Sequence, residues 1–213
     1  MVKKLFIFGA GSSGRDILQI ISQINEFNQA WDVIGFVDPD PELSNKQISG
    51  IPIYKYDNLS FSNDYYGICG IMDPKLKKRI VNSEIRKKKY KLATIVHPDV
   101  ARSSDSKIGS GSIIFPGVKI SMDVNIGQCV WVDKNSLLGH NLRVGGYTSI
   151  MPSTTISGKC KIGSGCFIGA GAILHQNICI GKECIVGIGT TIIKNIPDKT
   201  SVVAYPRNVI KEI

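Results

Sequence analysis

A glycine-rich turn near the start of the chain has the residue types and the spacing that bind phosphate groups. Gly9, Gly11 and Gly14 form a G-x-G-x-x-G pattern between an apolar run and a segment with helical spacing. Such glycines let backbone N–H groups approach a phosphate at a helix N-terminus, where the helix dipole favours negative charge. Asp38 follows a second apolar run, near the place where the sugar or base of a nucleotide would lie. The turn therefore predicts a nucleotide site.

The segments around this turn predict a small domain of alternating strands and helices. Residues 4–8 and 31–37 are apolar runs typical of buried strands, and residues 15–27 carry apolar side chains at helical spacing. Residues 65–72 predict a further strand and residues 75–89 a basic helix. This βαβ order is typical of a parallel sheet. Only about 95 residues precede the repeat described next, so we expect one mononucleotide half that takes a nucleotide-diphosphate sugar.

A six-residue repeat dominates the rest of the chain. Every sixth residue is aliphatic without a break, at Ile108, Ile114, Ile120, Ile126, Val132, Leu138, Val144, Ile150, Ile156, Ile162, Ile168, Leu174, Ile180, Val186 and Ile192. This period fits a triangular solenoid, in which three hexads close one coil and residues 18 apart stack. The predicted fold class is an α/β nucleotide-binding domain, residues 1–95, followed by an all-β parallel β-helix, residues 96–213, with a C-terminal tail.

The charge of the chain does not favour nucleic-acid binding. The formal net charge is +9, but residues 74–92 hold nine Lys or Arg and a single acid, Glu84. A run of this kind is typical of a solvated helix face, and an anionic ligand or an acidic membrane surface are the alternatives. No aromatic side chains alternate with the cations, as a single-strand platform would need. We therefore expect no nucleic-acid partner.

The cysteines and the apolar segments predict a cytoplasmic protein without a metal site. Six cysteines occur without CxxC spacing or a paired histidine, which argues against zinc and against a disulfide framework. Cys160, Cys166 and Cys184 fall on the small inward position of the repeat, where we expect them to fill the core. The chain has no run of 18 apolar residues, so no membrane span is predicted, and the apolar start is too short for a signal peptide.

Three short segments combined with the hexapeptide region resemble a known family. The segments are FGAGSSG at 8–14, GFVD at 35–38 and VHP at 96–98. They are similar to the sugar acyltransferases of bacterial polysaccharide and glycan pathways, which include sialic-acid-pathway O-acetyltransferases and the bacillosamine-pathway N-acetyltransferase. The resemblance implies a left-handed β-helix, a homotrimer, and acetyl-CoA bound between neighbouring subunits. It also implies N-acetylation of a UDP- or dTDP-linked amino sugar by direct transfer.

The resemblance also assigns the reacting groups. His140 matches the general base of the family, a role that suits an imidazole with its pKa near 6.5. Gly158 lies one coil further on, and its backbone N–H would bind the thioester oxygen as negative charge develops there. Asn141 stands where the family often has an acid that orients the histidine. An amide oxygen can still accept the ring N–H bond, although it lacks the negative charge.

The remaining site residues are also carried over from the resemblance. For acetyl-CoA they are Ser149, which stands at the position of a second family histidine, with Ala170 and Ile188 in the groove. For the nucleotide sugar they are Gly11, Ser12, Ser13, Asp38, Pro39, Met72 and Asp73. Two functional alternatives stay open beside N-acetylation, namely O-acetylation of a sialic acid or another sugar, and a non-catalytic nucleotide-sugar sensor. The glycine turn alone also permits an NAD-dependent oxidoreductase or a purely packing role.

Overall fold

The N-terminal part of the chain folds around a small, largely parallel sheet. A computed structural model of the 213-residue chain describes residues 2–43, 46–60 and 62–204. The elements are β1 (Lys3–Phe8), α1 (Ser12–Phe27), β2 (Trp31–Val37), β3 (Gln47–Ile48), β4 (Ile51–Tyr54), β5 (Tyr66–Cys69), α2 (Pro74–Ile80) and β6 (Lys91–Leu92). The strand order is β3-β4-β2-β1-β5-β6, with only the β3–β4 pair antiparallel. The predicted βαβ unit is thus confirmed.

The predicted basic helix is shorter than its charge run. It begins at Pro74, where proline loses no hydrogen bond, and Asp73 caps it by accepting the Leu76 N–H at 2.7 Å. After Ile80 the backbone widens into a π-helical turn, Val81–Arg86. Two short 3-10 turns, Pro41–Leu43 and Tyr56–Asn58, lie between the strands. The exposed face of α2 carries Lys75, Lys78 and Arg79, as expected for a solvated face.

Gly14 permits the close contact between α1 and the glycine turn. A Cβ atom at Gly14 would lie 2.0 Å from the carbonyl oxygen of Gly9. Gly9 itself has φ of 111°, a left-handed conformation that disfavours residues with a Cβ. Gly11 is different, because a Cβ there would have no heavy atom within 4 Å. Packing therefore accounts for two glycines of the motif and leaves Gly11 unexplained.

The repeat region forms a three-sided parallel β-helix. The strands of the first face are Ile95–Val96, Ile113–Ile114, Trp131–Val132, Ser149–Ile150, Phe167–Ile168, Ile185–Val186 and Ser201–Val202. The strands of the second face are Ala101–Arg102, Lys119–Ile120, Leu137–Leu138, Thr155–Ile156, Ile173–Leu174 and Thr191–Ile192. The strands of the third face are Lys107–Ile108, Asn125–Ile126, Arg143–Val144, Lys161–Ile162 and Cys179–Ile180. Parallel partners are 18 residues apart, for example Leu138 and Ile156, as the repeat predicts.

The interior of the β-helix is built from the aliphatic column and the small inward residues. The aliphatic residues from Ile114 to Ile192 are buried in one continuous cluster. Cys160, Cys166 and Cys184 are fully buried in the same cluster, and their thiols donate to backbone carbonyls of a neighbouring coil. Burial raises the pKa of Cys166 to about 11, so this thiol stays protonated. The prediction that these cysteines fill the core is confirmed.

The N-terminal domain covers the first face of the β-helix. Ile95, Ile113 and Trp131 of that face share a buried cluster with Ile17 and Ile21 of α1. Trp131 is the largest fully buried side chain, and its Nε1 donates to Asp133 at 3.0 Å. At the rim, the Lys134 ammonium lies 2.9 Å from the Asp16 carboxylate of α1. The two parts of the chain therefore share a core, and each fixes the position of the other.

The inward column can be tested on one strand of the third face. Ile162→Ala should lower the free energy of unfolding by about 2–5 kcal/mol, because it opens a cavity around a side chain that is 4% exposed. Lys161→Ala, the exposed neighbour on the same strand, should change it by less than about 0.5 kcal/mol. Urea unfolding followed by circular dichroism measures both. Equal effects of the two substitutions would contradict the assigned orientation of the strand.

Candidate active site

His140 lies exposed at the corner between the second and third faces, in the turn that follows Leu138. Its Nδ1 lies 2.8 Å from Oδ1 of Asn141, the residue predicted to orient it. Asn141 has φ of 56°, a left-handed conformation that asparagine adopts more readily than most residues. The turn is anchored to the next coil, since Lys159 N–H donates to the His140 carbonyl at 2.7 Å. Among the described residues, the second ring nitrogen, Nε2, has no hydrogen-bond partner.

Gly158 lies directly beneath the imidazole ring. A Cβ atom at Gly158 would lie 2.5 Å from Nε2 of His140 and 2.7 Å from its Cε1, so the ring occupies the space of a missing side chain. Within the described residues, the Gly158 N–H has no hydrogen-bond acceptor. The structure therefore brings together three of the predicted residues, with the imidazole ring packed on Gly158 and the Gly158 N–H unpaired among the described residues.

The glycine turn opens at the carboxyl edge of the N-terminal sheet. The N-cap residue Gly11 makes no side-chain cap, and no acid occupies the first turn of α1, so its N–H groups can bind an anion. Gly11 and Ser12 are exposed, and Ser13 is half-buried. Asp38 reaches across from β2 and accepts the Ala10 N–H at 2.8 Å. The carboxylate thereby holds the turn in its conformation.

A cleft of about 370 Å³ lies beside this turn, and Gly9, Asp38, Pro39, Tyr56 and Arg79 are among its lining residues. The order of the sheet reverses at β1, which pairs with β2 on one side and β5 on the other. Ligands of open parallel sheets bind outside the carboxyl ends at such a switch point. Burial raises the pKa of Tyr56 to about 12, and the nearby charge of Asp38 is the next largest cause. The phenol therefore stays protonated and can donate a hydrogen bond. The charged groups that line the cleft are the Arg79 guanidinium and the carboxylates of Asp38 and Glu84.

Ser149 does not lie with His140. It is fully buried on the first face, where its hydroxyl donates to the Met72 carbonyl at 2.6 Å and accepts from Lys77 Nζ at 2.7 Å. Lys77 also donates to the Thr148 carbonyl at 3.3 Å. Both hydrogen-bonding roles of the hydroxyl are thus filled, and this placement does not support a direct contact with acyl-CoA. Ser149 instead joins the β-helix to the loop that contains Met72 and Asp73.

The other predicted groove residues stack at a different corner from His140. Ala170 and Ile188 are 18 residues apart, between the first and second faces, and Gly189 N–H donates to the Ala170 carbonyl at 2.8 Å. Ile188 is 78% exposed, whereas Ala170 is half-buried against the core shared by the two domains. Within one chain, the second face separates these residues from His140.

Three polar residues with specific contacts, Asp123, Arg143 and Lys77, were not predicted from the sequence. Asp123 and Arg143 form an exposed ion pair beside Asn141, with Arg143 Nη2 2.9 Å from Asp123 Oδ1. Their signal was available, because Asp123 precedes Asn141 by 18 residues, one coil of the repeat. Lys77 had a weaker signal, since it lies within a charge run but shares a helix face with the buried Pro74 and Ile80. Among the described residues, no three His, Cys, Asp or Glu side chains are arranged to hold a metal ion.

The fold and this corner define a class of protein, a Rossmann-like domain joined to a left-handed β-helix of hexapeptide repeats. Residues 4–83 match the PglD N-terminal domain family. In 149 aligned residues, 68% of this chain, the sequence is 29% identical to a GDP-perosamine N-acetyltransferase of Escherichia coli O157:H7. The aligned part covers 66% of that relative, just under two thirds of its length. The resemblance to bacterial sugar acetyltransferases is confirmed.

Solved structures confirm the fold over nearly the whole chain. The acetyltransferase domain of PglB from Neisseria gonorrhoeae superposes with a TM-score of 0.83 at 23% identity, covering 95% of this chain and 97% of that one. WeeI from Acinetobacter baumannii gives 0.84 at 21% identity, covering 98% and 100%. PerB from Caulobacter crescentus, solved with CoA and GDP-perosamine, gives 0.81 at 22% identity, covering 96% and 95%. The described residues contain no helix with the length and hydropathy to cross a bilayer.

The buried lysine at the domain junction predicts a pH-dependent stability. Burial lowers the pKa of Lys77 from its usual 10.5 to about 8. Between these values the unfolded chain binds more protons at Lys77 than the native protein does, so this residue makes the native state more stable as pH rises. Lys77→Met removes the titrating group, so the variant lacks this rise in stability with pH. Relative to wild type, its free energy of unfolding should therefore fall by about 2 kcal/mol from about pH 7 to about pH 10.

Chemical denaturation at several pH values measures this difference. Lys78→Met, an exposed lysine on the same helix, should follow the wild-type pH dependence. A Lys77→Met profile parallel to wild type would show that the ammonium is not desolvated at the junction.

Proposed function

We propose that this chain is an acetyl-CoA-dependent acetyltransferase that acts on the amino group of a nucleotide-linked amino sugar. The observation that carries the proposal is the placement of the His140 imidazole. Its Nδ1 is hydrogen-bonded to Asn141, and the ring lies over Gly158, whose N–H is unpaired among the described residues. The reaction class has support from the GDP-perosamine N-acetyltransferase relative and from fold neighbours solved with CoA or acetyl-CoA.

In this mechanism His140 is the general base. The sugar nitrogen attacks the thioester carbon, and its proton passes to Nε2 of His140. The C–S bond then breaks, and the departing CoA sulfur takes up the proton. Such assistance typically contributes about 10²–10⁴-fold to the rate. No cysteine nucleophile is needed, which agrees with the burial of Cys160 and Cys166.

The backbone N–H of Gly158 is the candidate oxyanion-hole donor of this site. The thioester oxygen gains negative charge as the nitrogen adds, and a backbone N–H fixed in place before the reaction stabilises that charge. The Gly158 donor is rigid, because its own carbonyl accepts the Asn177 N–H of the next coil at 3.0 Å. Its position beside Nε2 would let base and oxyanion donor act on the same reacting centre.

The N-terminal domain would hold the nucleotide. The uncapped start of α1 suits the diphosphate, and the cleft beside Asp38, Pro39 and Tyr56 suits the nucleoside. The loop with Met72 and Asp73 follows β5 and would contact the sugar. The expected uridine or thymidine base stays a prediction, and the relative named for GDP-perosamine makes guanosine the third base to test.

The proposed active site needs more than one copy of the chain. The nucleotide cleft belongs to the domain that packs on the first face, whereas His140 lies at the corner between the other two faces. The second face between His140 and the predicted CoA groove exposes apolar side chains, namely Leu137 at 42% and Ile173 at 47%. A homotrimer would cover this face and bring His140 of one copy to the groove and sugar of another.

Removal of the proposed base tests the function directly. His140→Ala should lower kcat for acetyl transfer by about 10²–10⁴-fold while leaving oligomeric state and melting temperature unchanged. Product is measured by mass spectrometry with acetyl-CoA and GDP-, UDP- or dTDP-linked amino sugars. His97→Gln is the control, because glutamine can replace the contact of His97 with Gln23 at the domain junction. Full turnover by His140→Ala would refute the role of the base, and acetylation of hydroxyl acceptors alone would favour the O-acetyltransferase.

Gly11 offers a test of nucleotide binding that is separate from folding. Gly11→Ala should leave stability unchanged, because its φ of −72° suits alanine and its Cβ would have no neighbour within 4 Å. The added methyl group would obstruct the diphosphate and weaken nucleotide-sugar binding by about tenfold or more. Titration calorimetry with GDP-, UDP- and dTDP-sugars measures the affinity, and Gln19→Ala on the same helix is the control. Unchanged affinity would assign the turn to packing, and tight NAD binding instead would favour an oxidoreductase.

A further inference from the structure

The hydrogen bonds of His140 continue beyond Asn141 to a carboxylate in the preceding coil. Asn141 Nδ2 donates to Asp123 Oδ2 at 2.6 Å. The two residues are 18 apart, so they occupy the same corner position in successive coils, and both have left-handed backbones. Arg143 closes the group, with Nη2 at 2.9 and 3.0 Å from the two carboxylate oxygens of Asp123. A charged pair thus lies one amide away from the proposed base.

Asp123 is held in its ionised form. Hydrogen bonds from Asn141 and Arg143, in that order, keep the pKa of Asp123 below its usual range. Lys107 adds positive charge from one coil earlier, and Asp105 accepts the Asp123 N–H at 3.0 Å. An ionised carboxylate has no proton to donate, so it can only accept hydrogen bonds.

This restriction fixes the orientation of the Asn141 side chain. The amide nitrogen must face Asp123, because only that end of the amide can donate. The amide oxygen consequently faces Nδ1 of His140 at 2.8 Å. Since this oxygen can only accept, Nδ1 must carry the ring proton, and the lone pair of the neutral imidazole stays on Nε2. Nε2 is the ring atom nearest to the space above Gly158.

We propose that Asp123 is a positioning residue that sets the tautomer of His140 through the Asn141 amide. The inference rests on the proposed function, since it explains how an asparagine can serve where an acid would orient the histidine directly. Without the carboxylate, the amide is free to turn its NH₂ group toward Nδ1. The ring proton would then move to Nε2, and the nitrogen above Gly158 could no longer accept a proton.

The test is Asp123→Asn, which keeps the size of the side chain and suits the left-handed backbone at φ of 51°. The tautomer is read from ¹⁵N chemical shifts of the imidazole, in a chain with only three histidines. The His140 signals are assigned by their loss in His140→Gln. We expect the Nδ1–H form in wild type and a mixture or the Nε2–H form in Asp123→Asn. The value of kcat should fall by about 10- to 100-fold, a typical loss when an orienting partner is removed.

A double exchange separates orientation from general structural support. Asp123→Asn combined with Asn141→Asp moves the carboxylate next to Nδ1 and keeps the charge, the amide and Arg143. It should restore the Nδ1–H tautomer and most of the rate. Asp99→Asn is the matched control, because Asp99 also accepts an N–H from the next coil, that of Gly117 at 3.0 Å, but at another corner.

Two results would overturn the proposal. One is a wild-type Nδ1–H tautomer retained in Asp123→Asn, and the other is a double exchange that leaves the Nε2–H form in place. The spectra need no substrate, so they decide the role of Asp123 even if the wild-type protein transfers no acetyl group. Absence of transfer would contradict only the proposed function.

Discussion

Hydrogen bonds between successive coils, whose paired residues are 18 apart, determine where every side chain of the β-helix points. At the His140 corner, the Lys159 N–H donates to the His140 carbonyl, and the Asn177 N–H donates to that of Gly158. Each bond fixes one coil against the next, so residues at equivalent turn positions form vertical columns. His140, Gly158 and Asp123 are neighbours because of this register. A change in chain length within one hexad would displace all of them together.

The second constraint is the junction between the domains. Hydrophobic burial places the N-terminal sheet on the first face, and a few polar contacts set its exact position. The Lys77 ammonium carries an unusual cost of desolvation for this purpose, since it is buried and its hydrogen-bond partners are neutral. Lys77 donates to Ser149, which in turn donates to the Met72 carbonyl, so these contacts connect the first face of the β-helix to the loop after β5. The position of the loop in one domain is thereby linked to packing in the other.

Two signals in the sequence, the six-residue repeat and the apolar runs of the N-terminal segments, predicted most of the fold. The six-residue register predicted the stacking of Leu138 on Ile156 and of His140 near Gly158, because a solenoid converts sequence distance directly into spatial distance. Hydrophobic runs placed β1, α1 and β2 closely, because a short apolar run predicts a buried strand and apolar side chains at helical spacing predict a helix. Residue type alone did not indicate the surroundings of two polar side chains, Lys77 and Ser149. The six-residue register does not include Lys77 and so did not indicate that this lysine is buried. The match of Ser149 to an acyl-CoA ligand stays a prediction, and the hydrogen bonds of its hydroxyl to Met72 and Lys77 had no signal in the sequence.

The burial of the cysteines makes this protein suited to site-selective chemistry. Five of the six thiols are buried, and burial raises the pKa of Cys69 to about 12 and of Cys129 to about 11, which keeps both in the unreactive thiol form. Cys179 alone is exposed, on the outer side of the third face, away from the domain that covers the first. A maleimide dye or spin label would therefore attach at one natural position per chain. Distances between such labels would report how copies of the β-helix are arranged, without any engineered cysteine.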